Sequence, residues 1–252
     1  MKRTRQEKIA AQVEAVGRVK VADLSLQLGV SEMTVRRDLE QLENSGVLIR
    51  LHGGAVSNIS RSYEPGFEVR HNLNTDAKAR IGKLAATLIR DRETIVFDAG
   101  STTLHVAEHI PNNLHIRAMA LSLRIATVLS DFPNITVMTP GGTVRQRERS
   151  FIGGGAISGL EKLTFDSLFL TVGGISALSG VTEYEVDDAE VKKTALRCAK
   201  RVIVVADGSK LGAVAFVRIC DIEKVDILVT DKGAPEEEVA ELRKLGVEVL
   251  LA

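Results

Sequence analysis

From about Thr75 to the C-terminus, short apolar runs alternate with amphipathic stretches, and each run ends in a glycine-rich or polar loop. TIVF (94–97) leads into Asp98 and the loop Ala99-Gly100-Ser101-Thr102-Thr103. ITVMTP (135–140) leads into Gly141-Gly142-Thr143-Val144-Arg145, SLFLTV (167–172) into Gly173-Gly174-Ile175, and VIVVAD (202–207) into Gly208-Ser209-Lys210. Residues 76–90 carry the period of an amphipathic helix. Strand and helix patterns in alternation specify an α/β domain. In open sheets of that class, ligands bind beyond the carboxyl ends of the strands. The 252 residues, 44% hydrophobic and 26% charged, have the make-up of a folded chain with one large domain or two smaller ones.

The first sixty residues follow another pattern. Ile9, Val13 and Val16 recur at helical spacing up to Gly17. VADLSLQLG (21–29) puts Val21, Leu24 and Leu28 on one face and closes on Gly29. Ser31 is a good N-cap for a helix running to Gly46, in which Met33, Val35, Leu39 and Leu42 can turn inward. A short helix, a tight glycine turn and a serine-capped helix make a helix-turn-helix. VLIRLHGGAV (47–56) then supplies two β-prone runs around Gly53-Gly54, which suits the wing of a winged variant. The division expected is residues 1–58 as the winged helix-turn-helix domain, 59–75 as a linker with Pro65 and Gly66, and 76–252 as the α/β domain.

The N-terminal turns of a recognition helix face the major groove, where Thr34 and Arg36 reach base edges or phosphates and Arg suits guanine. Arg36 and Arg37 point about 100° apart, so one reads the groove while the other holds a phosphate or pairs with an acid. Ser31, Glu32 and Met33 complete the candidate set on the helix, and Arg50 and His52 on the wing suit phosphate or minor-groove contact. The bland alternative pairs both arginines with Asp38 and Glu40 on a solvated face.

Composition excludes several classes. Lys plus Arg equals Asp plus Glu at 33 each, so this is no histone-like polycation. Residues 1–60 hold nine Lys/Arg against seven Asp/Glu, and partner choice follows such local distribution. No apolar run is long enough to span a bilayer, and the charged N-terminus lacks a signal-peptide core. No membrane partner is expected. Cys198 and Cys220 have no paired spacing and read as reduced thiols of a cytoplasmic protein. Aromatics, at 4%, are too few for a base-stacking RNA platform. His105 and His109 sit four apart on a helix with no partner at metal-like spacing, so no metal site is expected.

Loops at several strand ends can converge on one pocket. A helix N-terminus at Ser101, Thr102 and Thr103 suits an anion, and Gly100 admits close backbone approach. Arg145 and Lys210 supply positive charge; Asp98, Glu183 and Asp207 supply acceptors for sugar hydroxyls; Gly141, Gly142, Gly173 and Gly174 shape the walls. Taken singly, each has a plainer reading: an ordinary cap, a turn, a solvated lysine. Gly153-Gly154-Gly155 reads as a flexible turn.

Ser31-Glu32-Met33-Thr34-Val35-Arg36-Arg37-Asp38-Leu39 resembles the signature of the DeoR-type bacterial transcriptional regulators. Arg5, Ile9 and Val13 at fixed upstream spacing, and the Leu51–Ala55 turn, fit the same family. DAGSTT (98–103), Gly141-Gly142 with Arg145, Gly173-Gly174-Ile175, Glu190-Val191-Lys192 and Asp207-x-Ser209-Lys210 correspond in order, so the resemblance runs from about residue 5 to the end. It implies a C-terminal sensor similar in fold to ribose-5-phosphate isomerases and CoA transferases. It also implies a phosphorylated sugar or polyol effector, and repression of a carbohydrate or polyol operon that ends when the effector releases the DNA. The partner expected is double-stranded operator DNA. It is gripped by a homo-oligomer, dimer or tetramer, because symmetric half-sites match protein symmetry; no cofactor is expected. One departure stands out: Ala120-Leu121-Ser122-Leu123 occupies the place of the family's Thr-Asn-Ser-Leu, removing a hydroxyl and an amide. The alternative is a sugar-phosphate isomerase-like enzyme with an added DNA-binding domain, since Asp98, Glu183, Asp207 and Lys210 include the residue types for proton transfer beside a carbonyl. An isomerase has no use for the Ser31–Leu39 signature.

Overall fold

The computed structural model describes residues 2–16, 18–44, 47–51, 53–57 and 64–252. Gly17, Gly46 and His52, and positions 59–63 of the expected linker, lie outside the described residues. The chain divides into two compact units, Met1–Tyr63 and Glu64–Ala252.

In the first unit, α1 (Lys2–Val16) precedes β1 (Arg18–Lys20), α2 (Val21–Leu28), α3 (Glu32–Asn44), β2 (Leu48–Leu51) and β3 (Gly54–Ser57). Gly29 ends α2 in the left-handed region (φ 63°), its N–H on the Ser25 carbonyl, where a side chain would be strained. The Ser31 hydroxyl accepts the Thr34 N–H at 3.3 Å and so caps α3. Ile9, Val13, Leu24, Val35, Leu39 and Leu48 fill the core. Met33 does not turn inward; it is 70% exposed, because it lies two residues before Val35 and off the face shared by Val35, Leu39 and Leu42. Strands β2 and β3 form the expected hairpin, and β1 adds to the other side of β3. Three residues, Arg-Val-Lys, hold no readable strand pattern; β1 exists because β3 offers it a free edge. A Cβ on Gly54 would lie 2.1 Å from the Val19 carbonyl oxygen, so this pairing demands glycine there.

The second unit opens with α4 (Phe67–Asn72) and α5 (Thr75–Ala86), then β4 (Thr94–Phe97), α6 (Ser101–Glu108), β5 (Ile116–Ala120), α7 (Leu123–Ser130) and β6 (Ile135–Met138). There follow β7 (Thr143–Val144), β8 (Phe151–Ile152), α8 (Gly154–Glu161), β9 (Phe165–Leu170), β10 (Gly174–Ser176), β11 (Gly180–Glu183), α9 (Val186–Cys198) and β12 (Ala199–Val205). Last come β13 (Val217–Cys220), β14 (Ile227–Thr230), α10 (Glu236–Lys244) and β15 (Glu248–Leu251). Seven strands form a parallel sheet in the order β15-β14-β12-β9-β4-β5-β6. Alternate side chains serve two cores. Val96, Leu168, Leu170 and Val204 face one layer with α8, α9 and α10. Ile95, Phe97, Phe169 and Val205 face the other with α5, α6 and α7. Burial on both faces is why these strands read as continuous apolar runs. The order reverses between β4 and β9, a topological switch point at whose carboxyl end a crevice forms. A smaller antiparallel sheet, β10-β11-β13, carries Glu183.

Part of the expected linker is structured. Residues 67–72 form α4, with Phe67 buried beneath the Arg124 guanidinium, 4.0 Å from the ring centroid. Six residues are too few to show a helical period, so tertiary packing decides this helix. The helix expected at 76–90 ends earlier, at Ala86. Of the three glycines read as a turn, only Gly153 (φ 83°) turns the chain; Gly154 and Gly155 open α8, and a Cβ on Gly155 would lie 2.8 Å from the Gly142 Cα. Strand β15 closes the unit's own sheet against β14. Among the described residues, no helix is long and apolar enough to cross a membrane.

Candidate functional sites

Helix α3 presents Glu32, Met33, Arg36, Arg37 and Glu40 to solvent, with Thr34 half-buried. Positions 33, 36, 37 and 40 share one helical face. Arg36 pairs with Glu32 at 2.9 Å across one turn, and both are about half exposed, so the pair is weak and exchangeable. Arg37 has no ion-pair partner among the described residues. Asp38 pairs with neither arginine; it is buried, 1% exposed, and takes the Arg5 guanidinium of α1, tying α1 to α3. The Ser31 hydroxyl serves the cap and meets Thr34 Oγ1 at 3.0 Å. Arg50 donates its Nε to Glu43 at 2.6 Å, so a phosphate must compete with that carboxylate. His52 lies outside the described residues.

The second site sits where the β4 and β9 strands end. Asp98 follows β4, and its Oδ2 accepts the Thr171 N–H (3.0 Å) and hydroxyl (2.6 Å) that follow β9. These bonds bridge the switch point. Lys192 of α9 is buried against them: its Nζ lies 3.0 Å from Asp98 Oδ2, donates to the Thr171 carbonyl at 2.9 Å and pairs closely with Glu183. Burial works against the ammonium, yet Asp98 and Glu183 outweigh it and hold Lys192 above the usual lysine range. Burial likewise opposes the Glu183 carboxylate, but Lys192 and the Tyr184 N–H pull it below its ordinary value. At Asp98 burial prevails and pushes the carboxyl up, against Lys192 and the Thr171 donors.

Around this triad two arginines complete a pocket lined by Glu64, Arg70, Arg145, Glu148, Asp188 and the Glu183–Lys192 pair, with Ala99, Ser150, Thr171 and Val172. Arg70 of α4 is shared by Glu148 and, at 3.3 Å, Glu64. Arg145 is shared by Asp188 and, at 3.3 Å, Glu185. The free interior is about 20 Å³, room for roughly one water. Every cation in the pocket is therefore satisfied internally, and a larger anionic occupant has to exchange with protein carboxylates.

Of the sequence candidates, the structure places Arg145 and Glu183 in the lining, sets Asp98 just behind it against Lys192, and leaves the others outside. Thr103 is fully buried, with its hydroxyl donating to the carbonyls of Asp98 (2.6 Å) and Gly100 (3.1 Å), so it stabilises the loop instead of facing a ligand. Ser101 and Thr102 are buried in the first turn of α6. Gly100 is extended (φ −171°), a conformation any residue adopts; glycine is needed because a Cβ would lie 2.5 Å from Thr171 Oγ1. Gly173 and Gly174 answer to similar contacts, with Tyr184 and with the Ala213 carbonyl. Gly141 and Gly142 turn the chain at positive φ toward β7. Asp207 accepts the Asn74 amide and the Ser209 N–H, both at 3.1 Å. Lys210 Nζ lies 5.7 Å from the Tyr184 ring centroid. Ala120 and Leu121 are buried in the two cores, and Ser122 caps α7 through the Ile125 N–H.

The sequence reading missed Lys192, Asp188, Arg70, Glu64, Glu148 and Thr171 as site residues. Asp188 and Lys192 had a signal, since they lie four apart on one helix face beside Glu183. Arg70 and Glu64 had none, because they fell in a stretch without period. Among the described residues, no group of three or more His, Cys, Asp or Glu is placed to hold a metal ion.

Residues 5–61 match the family model of the DeoR-like helix-turn-helix domain, and residues 73–232 that of the DeoR C terminal sensor domain. The chain is 34% identical over 247 residues to the HTH-type transcriptional repressor CsqR of Escherichia coli, covering 98% of this chain and 94% of that protein. It is 32% identical over 234 residues to the HTH-type transcriptional repressor GlcR of Bacillus subtilis, covering 93% and 90%. Among solved structures, ribose 5-phosphate isomerase A of Methanocaldococcus jannaschii aligns over 54% of each chain, with a TM-score of 0.41 and 17% identity. A likeness that distant carries no argument about chemistry.

Proposed function

Because this chain belongs to the DeoR family of helix-turn-helix transcriptional regulators, and is a regulator and not an enzyme, we propose that it represses a carbohydrate or polyol catabolic operon. A phosphorylated sugar entering the switch-point pocket releases it from the operator. The observation that carries this reading is the convergence of Arg70, Arg145 and Lys192 on one small pocket at the carboxyl ends of β4 and β9. An anionic group of the effector takes over arginine bonds now made by Glu148 and Asp188, while Glu183 accepts from a sugar hydroxyl and Asp98 holds Lys192 from behind. The exchange gives two arrangements of the pocket, and a ligand that favours one of them shifts the population. Repressor relatives such as CsqR and GlcR support the direction of control. On operator DNA, Arg36 reads base edges and Arg37 holds a phosphate, aided by Glu32, Met33 and Thr34, with Arg50 and His52 on the wing. A homo-oligomer places two such helices on repeated half-sites.

The test is a gel shift of the full chain on its native upstream region, titrated with phosphorylated sugars and polyols and their unphosphorylated forms. Release by a phosphorylated compound alone is the expected result. Specific retention untouched by the whole panel would remove the phosphosugar reading and leave the DNA-binding claim standing.

A further inference from the structure

Charge in the switch-point pocket is unbalanced. Four carboxylates, Glu64, Glu148, Glu183 and Asp188, line it against three cations, Arg70, Arg145 and Lys192, and Asp98 claims part of Lys192 from behind. An anion arriving in this enclosure adds negative charge and draws the arginines off their carboxylates. Buried carboxylates deprived of a partner are costly unless they become neutral. Glu64 is the one held most loosely: its Oε1 lies 3.3 Å from an Arg70 that is bound more closely by Glu148. The Glu64 side chain is only 13% exposed.

Resting on the reading of this pocket as an anion site, we propose that Glu64 sets its charge specificity: an anion seats beside Arg70 and Arg145 as Glu64 takes up a proton. The groups facing Glu64 are Arg70 from α4, Glu183 at the end of β11 and Tyr184 after it, Lys192 from α9, Lys210 from the turn after β12, and Glu148 across Arg70. Burial raises the Glu64 carboxyl to about 7, with Arg70 pulling down, Glu183 pushing up, and Lys210 and Lys192 pulling down. It is thus poised to change charge near neutrality. Losing Arg70 to the anion, and gaining the anion's own charge, both raise it further. The sign follows: the complex binds more protons than the free chain above about pH 7, so affinity falls as pH rises there and is level below it. The resulting device discriminates among ligands, since an uncharged sugar draws no proton and shows no such slope.

Inorganic sulfate is the probe, because it remains a dianion throughout the range and any proton exchanged belongs to the protein. Calorimetric titration of the full chain in two buffers of different ionisation enthalpy counts that proton. The wild type is expected to take up as much as one proton per sulfate above about pH 7 and to lose affinity by up to tenfold per pH unit. Glu64→Gln is expected to bind sulfate with no slope, at the affinity the wild type reaches near pH 6. Sulfate bound equally well from about pH 6 to about pH 9, with no proton exchanged, overturns the coupling and leaves the anion pocket standing. A slope that survives in Glu64→Gln also overturns it and assigns the proton elsewhere, first to Lys78, which burial lowers to about 8. Failure of sulfate and of inorganic phosphate to bind at any pH removes the anion pocket and the coupling together. The wild-type proton count stands even where the variant does not fold.

Discussion

Lys192 shows how one side chain holds the site together. It is 4% exposed and is shared by Asp98 and Glu183, so its charge is what makes two buried carboxylates tolerable. Replacing it by Met keeps the volume and removes the charge. Lys192→Met is expected to cost about 3–5 kcal/mol near neutral pH, the scale for a buried pair broken on one side. The loss is expected to shrink as pH falls, because Asp98 and Glu183 without their counter-charge are raised and protonate early. Urea denaturation at about pH 5 and about pH 8 checks this; a loss of less than about 1 kcal/mol at both would show that the triad is not held by charge. Lys192 was visible in the sequence only as part of a family-like Glu-Val-Lys segment, since a lysine on an amphipathic helix ordinarily reads as solvated. Of its two partners Glu183 is near in the chain, but Asp98, after β4, comes from far away along it.

At the scale of elements, the position of α6 depends on how closely α5 approaches it. A Cβ on Gly82 would lie 2.6 Å from the His105 backbone carbon and oxygen, so α5 and α6 touch through bare backbone. Gly82→Ala is expected to cost about 1–3 kcal/mol by overpacking. It is also expected to weaken the response to the effector, since α6 follows directly on the loop whose Ala99 lines the site. Gly66→Ala is the control: nothing lies within 4 Å and its φ is −58°, so a change within about 0.5 kcal/mol is expected. Thermal unfolding of both variants, with a release titration on DNA, separates packing from function; equal melting of Gly82→Ala and wild type would show that the helices can part freely. Elements with a repeated pattern were legible, such as α5 through Ile81 and Ala85 and the sheet strands through their apolar runs. Helix α4 and strand β1 were not, being too short for a period and owing their form to Phe67 burial and to the β3 edge.

For the whole molecule the net charge is zero, so attraction to DNA comes from where the cations stand. Arg36 is engaged by Glu32 and Arg50 by Glu43, whereas Arg37 has no ion-pair partner among the described residues. On the proposed reading, Arg37 is the phosphate contact and Arg36 the base contact. Arg37→Ala is expected to lower the slope of log affinity against log salt by about 1, uniformly across sequences. Arg36→Ala is expected to cost about 1–3 kcal/mol mainly on the operator. Gel shifts on operator and scrambled duplexes over a salt series measure both, and an unchanged salt slope in Arg37→Ala would remove it from the phosphate contacts.

By itself the sequence determined the alternation that makes the larger unit an α/β sheet, and the helix-turn-helix with its Ser31 cap and Gly29 turn. These are local matters: period, capping and glycine conformation act within a few residues, and the order of residues states them directly. It also marked Asp98, Arg145 and Glu183, because polar groups at strand ends stand out against apolar runs. Only the tertiary structure decided that Lys192, Arg70 and Glu64 join them, that Thr103 spends its hydroxyl on backbone, and that Gly100 makes room for Thr171. It likewise decided that the pocket's cations are paired with the protein's own carboxylates. The physical reason is that burial and pairing of charge depend on distances between segments about a hundred residues apart, such as Asp98 with Lys192, and no local pattern encodes those distances.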